Sequence, residues 1–310
     1  MAIPQRTLIL GALPFGTTVD EATSFAVLDR FTELGGTVID TANNYAYWAE
    51  GGTGDESEET VGRWLAARGG RDGLVLSTKC GGRPAAPGSP DVEGLSEKAV
   101  RSALEGSLRR LGVDRVDVFW AHLEDRTVPL GETVAALADL VDEGKTAELG
   151  VSNHAVWRVE RARALAGERP RYTHLQYRHS YLQPRFDKAL PSSGHVHVTR
   201  EILDFARNGG DLTLWAYSAL LSGGYTRPEV GIPAAYDHPG TAPRLAALHE
   251  VAGELGASVN QVVLAWLLGG EPSVLPVVGA SRVEQVEEAM GALDLTLDPE
   301  QRRRLDEAGA

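Results

Sequence analysis

Four side chains of acid–base type fall at or just past the ends of short apolar runs. Asp40 closes the run 37–40 and Tyr45 follows five residues later, while Lys79 ends the run 74–79 and His122 the run 116–122. A strand-end carboxylate with a phenol nearby suggests proton transfer, since tyrosine titrates near ~10 and needs a charged neighbour to act sooner. Singly, each residue has an ordinary reading: an aspartate closing a strand, a loop tyrosine, a lysine just past a strand, a half-buried histidine. Their placement at successive strand ends points to chemistry. The later runs continue the pattern, with Ser152 and Asn153 ending the fifth, Gln176 inside the sixth and Tyr217 ending the seventh. Cys80, beside Lys79, reads as a packed thiol rather than a nucleophile. His195 and His197 have the spacing of a metal pair, but no partner cluster accompanies them, so a loop or strand-edge role is expected and no metal is implied.

The elements that must position these residues alternate regularly. Apolar runs occur at 8–13, 37–40, 74–79, 116–122, 147–153, 173–177, 212–217 and 274–279. Helix-period stretches lie between them, for example Val100, Leu104, Leu108 and Leu111 on one face. Ser96 predicts an N-cap and Gly112 a helix stop, and Asp298-Pro299-Glu300 opens a last helix. The acidic stretch 55–59 reads as the solvated start of the helix carrying Val61, Trp64 and Leu65. Strands alternating with helices, with no Pro/Gly/Ser-rich linker between halves, predict an α/β protein: one (β/α)8 barrel spanning 1–310. A doubly wound sheet usually announces itself with G-x-G-x-x-G after its first strand, and nothing here matches. Two long connections, 81–94 and 218–243, leave the C-terminal ends of strands, the face where barrel enzymes keep their sites.

Composition narrows the classes. With 43% hydrophobic and 24% charged residues, the chain can bury a large core. A net charge of −13 argues against nonspecific binding to nucleic acid or anionic membranes, though it leaves room for a local cationic pocket. The single cysteine rules out an internal disulfide and fits a reducing compartment. No stretch approaches the ~18 apolar residues of a membrane span, and no secretory leader is visible, so a cytoplasmic protein is expected. A monomer or weak homo-oligomer is compatible with the composition.

Ordered motifs along nearly the whole chain resemble the aldo-keto reductase superfamily. They are Gly36-Thr-Val-Ile-Asp-Thr-Ala-Asn-Asn-Tyr45, Glu58-Glu-Thr-Val-Gly-Arg-Trp-Leu65, Ser77-Thr-Lys79, Phe119-Trp-Ala-His122, Gly150-Val-Ser-Asn153, Gln176, Ala216-Tyr-Ser218 and Gly279-Ala-Ser-Arg282. The resemblance implies a nicotinamide-dependent reductase of aldehydes or ketones with the tetrad Asp40, Tyr45, Lys79 and His122. Tyr45 would protonate the carbonyl oxygen as hydride reaches carbon. Lys79, paired with Asp40, would lower the phenol pKa and help Tyr45 act as base in the oxidative direction. His122 would orient the carbonyl.

Cofactor contacts follow from the same resemblance. Ser152, Asn153 and Gln176 would hold the nicotinamide carboxamide, and Tyr217 would stack on its ring. Gly16, Thr17 and Thr18 would approach the ribose and pyrophosphate, with Asp40 nearby and the backbone of Ser218, Ala219 and Leu220 on the other side. Gly279 and Ala280 would line the cofactor site, and Ser281 and Arg282 would receive the adenosine 2′-phosphate at a helix start, a setting that suits a dianion. Gln285 and Glu288 would contact the adenine and its ribose. NADPH is the implied cofactor, with NADH possible, because Gln285 and Ala289 stand where many NADPH-preferring members carry Arg and Asn. Ala219 replaces a frequent Pro. The N-terminal hairpin and C-terminal loop of some relatives look shortened or missing, which leaves Trp48, beside Tyr45, as a candidate wall of the substrate pocket along with Tyr45 and His122. Three alternatives stay open: a regulatory cofactor-binding subunit of the same fold, an NAD-dependent alcohol or sugar dehydrogenase, and a lyase or isomerase using Lys79 as a Schiff base.

Overall fold

In a computed structural model, which describes residues 3–86, 89–188 and 194–309, eight parallel strands close into a barrel in chain order. They are β1 (Ile9–Gly11), β2 (Val38–Asp40), β3 (Val75–Cys80), β4 (Val116–Ala121), β5 (Thr146–Ser152), β6 (Tyr172–Arg178), β7 (Thr213–Tyr217) and β8 (Val274–Gly279). Each coincides with one apolar run of the sequence, to within a few residues. The ring closes where Ile9 and Gly11 of β1 register against Val277 and Gly279 of β8. Outside it run α1 (Glu21–Glu33), α2 (Glu56–Ala67), α3 (Glu97–Leu111), α4 (Leu130–Asp142), α5 (Val156–Ala166), α6 (Arg200–Asn208), α7 (Thr241–Leu255), α8 (Val259–Leu268), α9 (Val283–Met290) and α10 (Pro299–Glu307).

The predicted caps form. The Ser96 side chain accepts from Ala99 N, and Gly112 ends α3 at φ 65°, the left-handed conformation glycine adopts without a Cβ clash. Asp298 and Gln301 cap α10 reciprocally with Pro299 in its first turn. Inside the barrel, Trp120 of β4 and Trp215 of β7 meet edge to face at 4.8 Å between ring centres. Gly150 of β5 makes room for them, since a Cβ there would overlap the Trp120 ring.

Two sequence expectations need correction. The 55–59 stretch is not simply solvated: Glu58 is fully buried, accepting from Thr78 Oγ1 and, at 2.7 Å, from Arg110 Nε. Its position in the first turn of α2 turns it onto the back of β3, where an arginine and a hydroxyl replace water. A third long connection, 179–199 between β6 and α6, is absent from the sequence expectations although Pro184, Pro191 and Gly194 give it the proline and glycine signals of a loop. No single helix among the described residues is long and apolar enough to cross a membrane.

Candidate active site

Strand periodicity aims alternate residues inward, so the last inward residue of each strand sits at the C-terminal mouth of the barrel. Asp40 ends β2 and Lys79 lies one residue from the end of β3, and both are fully buried. Lys79 Nζ donates to Asp40 Oδ2 at 2.5 Å, to Thr41 O at 2.8 Å and to Tyr45 Oη at 2.6 Å. The other carboxylate oxygen of Asp40 accepts from Ser77 Oγ at 2.5 Å, and Ser77 accepts from Trp120 Nε1 at 2.7 Å. Gln176 Nε2 approaches Asp40 Oδ2 at 3.4 Å. A buried ion pair repays its desolvation only when the remaining donors and acceptors are satisfied, and here they are. The His122 ring stands edge-on to Tyr45 at 6.1 Å.

Burial governs the titration of this cluster. It pushes the Tyr45 phenol well above 10, with the Asp40 carboxylate adding to the rise, and it pulls the Lys79 ammonium down while Asp40 and Glu58 hold it up. The expectation that Lys79 lowers the phenol therefore needs correction for the protein alone. The ammonium at 2.6 Å favours phenolate, but loss of solvent outweighs it, so Tyr45 is held as a neutral O–H. His122 is pulled well below 6.5 by burial and then by the Lys79 charge, so its ring is neutral at neutral pH. Burial also drives the Cys80 thiol up, consistent with a packed, unreactive group.

From this cluster a cleft of about 700 Å³ runs between β1, β7, β8 and α9. Of the residues singled out in the sequence, Tyr45, His122, Ser152, Asn153, Gln176 and Tyr217 line one end. Thr18, Ser218, Ala219 and Leu220 line its middle, and Gly279, Ala280, Ser281, Arg282, Gln285 and Glu288 the other end. Asn153 Oδ1 accepts from Tyr217 Oη at 2.7 Å and from Val196 N at 3.1 Å, which fixes the amide orientation. At the far end Gln285 Oε1 accepts from Ser281 N at 2.7 Å and Ser281 Oγ at 3.2 Å, while Arg282 is largely exposed.

Gly16, Thr17 and Trp48 do not reach this wall. Gly16 turns the chain at φ 75° against α2, where a Cβ would strike Thr60, and Thr17 Oγ1 donates to Pro14 O at 3.1 Å. Trp48 is 60% exposed and packs edge-on against Tyr47. His195, expected in a loop or strand-edge role, lies on the cleft wall, and sequence reasoning missed Thr226, Arg227 and Asn260 there. Asn260, in the first turn of α8, donates to Glu288 at 3.3 Å and leaves its buried Oδ1 without a partner. Its only sequence signal is a polar residue, next to the capping Gln261, at the start of a helix that is apolar from Val262 to Leu268.

The length of the cleft and its donor sets fit a nicotinamide dinucleotide. Amide and hydroxyl groups gather at the catalytic end, an unpaired buried acceptor (Asn260 Oδ1) sits at the far end, and Ser281 and Arg282 flank the start of α9. A barrel with this rim constellation defines an oxidoreductase of the barrel class, and the profile of the Aldo/keto reductase family matches residues 7–310. The chain belongs to the aldo/keto reductase family and is an NAD(P)H-dependent oxidoreductase. It is 33% identical to norsolorinic acid reductase stcV of Emericella nidulans over 95% of this chain and 76% of that one. It is 30% identical to an aryl-alcohol dehydrogenase [NADP(+)] of Phanerodontia chrysosporium, over 95% of this chain and 78% of that one. The crystal structure of the thermostable aldo-keto reductase Tm1743 with the inhibitor epalrestat superposes with a TM-score of 0.73 at 26% identity, covering 99% of this chain and 95% of that one.

Proposed function

We propose that this protein reduces aromatic aldehydes or ketones to alcohols with NADPH, using Tyr45 as the proton donor. The observation that carries the reading is the Tyr45 hydroxyl, 2.6 Å from Lys79 Nζ and on the wall of the cleft. When bound, the dinucleotide supplies a hydride to the carbonyl carbon. The chain's residues supply the rest. Tyr45 donates its proton to the carbonyl oxygen, and the Lys79 ammonium stabilises the phenolate that remains. Asp40 keeps Lys79 charged and in place, and the neutral His122 donates a hydrogen bond that orients the carbonyl and supports the developing alkoxide. Ser152, Asn153 and Gln176 hold the carboxamide, Tyr217 packs on the ring, and Ser281 with Arg282 receives the 2′-phosphate. The aromatic preference is drawn from the relatives named for aryl-alcohol and norsolorinic acid substrates.

The test follows loss of reduced-nicotinamide absorbance with benzaldehyde and acetophenone, using NADPH and NADH, for the wild type and Tyr45→Phe. Turnover that is faster with NADPH and falls ~10²–10⁴-fold in Tyr45→Phe, with cofactor binding retained, supports the reading. Tight NADPH binding without turnover on any carbonyl would sink it.

A further inference from the structure

Beside the cofactor cleft, one part-buried arginine lacks a counter-ion among the described residues. Arg178 ends β6, two residues past Gln176, and so shares the inward face of that strand. Among the described residues no carboxylate lies within ion-pair distance of its guanidinium, its polar neighbour is the Tyr236 hydroxyl, whose titration it lowers without a well-formed hydrogen bond, and residues 189–193 contain no acidic side chain. Arg110 pairs with Glu58 and Arg163 with Asp211, whereas Arg244, also without a carboxylate, donates to Tyr181 O at 3.2 Å. The missed 179–199 connection folds back on Arg178, with Arg178 N donating to Val196 O at 2.9 Å and Val198 N to Arg178 O at 2.8 Å. That bridge places His195 and His197 beside the guanidinium, and the 217–241 connection brings Tyr236 up to the same group. The His197 and Tyr236 rings meet at 5.8 Å, and His195 lies 5.3 Å from Tyr217 on the cleft wall.

Four polar atoms of this cluster are buried without a partner: Arg178 Nε, His195 Nδ1, His197 Nε2 and Tyr236 Oη. Buried polar atoms normally find partners, so three orphans around a cation whose own Nε is also unpartnered mark a place built for something outside the chain. We propose that Arg178, His195, His197 and Tyr236 form an anion subsite at the substrate end of the cleft, taking a carboxylate carried by the carbonyl substrate. A guanidinium presents parallel N–H donors that match the two oxygens of a carboxylate. Burial, then the Arg178 charge, pulls both histidines down, His197 to about 4, so at neutral pH they contribute hydrogen bonds while Arg178 supplies the charge. On a chain of net charge −13, a part-buried cation without a carboxylate partner among the described residues is a local exception that an acidic substrate would find. The substrate class named here, an oxo acid in which carbonyl and carboxylate are separated by an apolar or aromatic spacer, rests on the reductase reading. The anion subsite does not.

The experiment compares 4-carboxybenzaldehyde with methyl 4-formylbenzoate, isosteric aldehydes that differ in charge, in the wild type, Arg178→Met, Arg178→Lys and His197→Leu. In parallel, calorimetry titrates benzoate into each protein. The expected result is a wild-type kcat/KM at least ~10-fold higher for the acid, carried by KM. Arg178→Met loses that preference and benzoate binding, Arg178→Lys regains part of both, and His197→Leu loses part. A wild-type acid-to-ester ratio near one with no benzoate binding overturns the proposal whether or not the variants fold. So does an Arg178→Met protein that loses both aldehydes equally while keeping benzoate binding. If neither aldehyde is turned over but benzoate binds the wild type and not Arg178→Met, the subsite stands and the reductase reading falls.

Discussion

The two ends of the cleft are built on opposite principles. At the Tyr45 end, Asp40 and Lys79 are fully buried and each charged atom has a protein partner, down to the Trp120–Ser77–Asp40 chain beneath. At the α9 end, the Arg282 side chain is 60% exposed, its only carboxylate neighbour among the described residues is Glu284 at 3.8 Å, and Gln285 occupies the Ser281 donors itself. A sealed site holds its charges in fixed geometry but tolerates no change, because a lost partner leaves a buried charge behind. An open site exchanges side chains against water at small cost. In the proposed function, chemistry falls at the first and cofactor discrimination at the second.

The comparison breaks most visibly at Lys79. Lys79→Met leaves Asp40 buried and unpaired, and urea unfolding should show about 3–5 kcal/mol of lost stability together with loss of turnover. Stability near that of the wild type would mean the cluster is not sealed. Acid probes the same end. His154, buried with Nδ1 2.7 Å from Ser152 O, is pulled down by burial to about 4. Its unfolded counterpart takes up a proton below 6.5 while the folded ring stays neutral, so stability falls as pH drops from about 6.5 to about 4. The loss from this ring alone is about 3 kcal/mol, and His154→Gln should flatten that part of the unfolding profile.

Ser77→Ala takes one hydrogen bond from the Asp40 carboxylate, with an expected cost of about 1.5–3 kcal/mol. Because the change acts through Asp40 and Lys79 on Tyr45, kcat and its pH profile should shift while KM for the cofactor stays put. A change in KM alone would assign Ser77 to packing. The smallest effect belongs to the open end. Gln285→Arg frees the Ser281 donors and adds a cation, so its Kd for NADPH, read by fluorescence titration, should fall about tenfold relative to NADH, or about 1.4 kcal/mol. An unchanged ratio would mean that this end does not discriminate.

Local patterning made much of the barrel legible. Each strand is a short apolar run and most helices announce a cap, so Ser96, Gly112 and Asp298 could be placed without tertiary information. Asp40, Tyr45, Lys79 and His122 were legible because strand ends converge in a barrel whatever the sequence between them. Glu58 was not, since an acid in the first turn of a helix reads as solvated until a neighbouring helix supplies Arg110. Trp48 misled in the other direction, as proximity in sequence to Tyr45 does not turn a loop side chain toward the cleft.

What the sequence determined alone is the alternation of strands and helices and the residue types at the strand tips, because both rest on local periodicity and on one rule of barrel closure. Which groups touch was decided by the tertiary structure. Whether burial or the Lys79 charge governs the Tyr45 phenol, whether Gln285 turns onto Ser281, and whether Arg178 finds a carboxylate depend on solvent exclusion and on loops separated by dozens of residues, and neither is encoded in any single window of the chain.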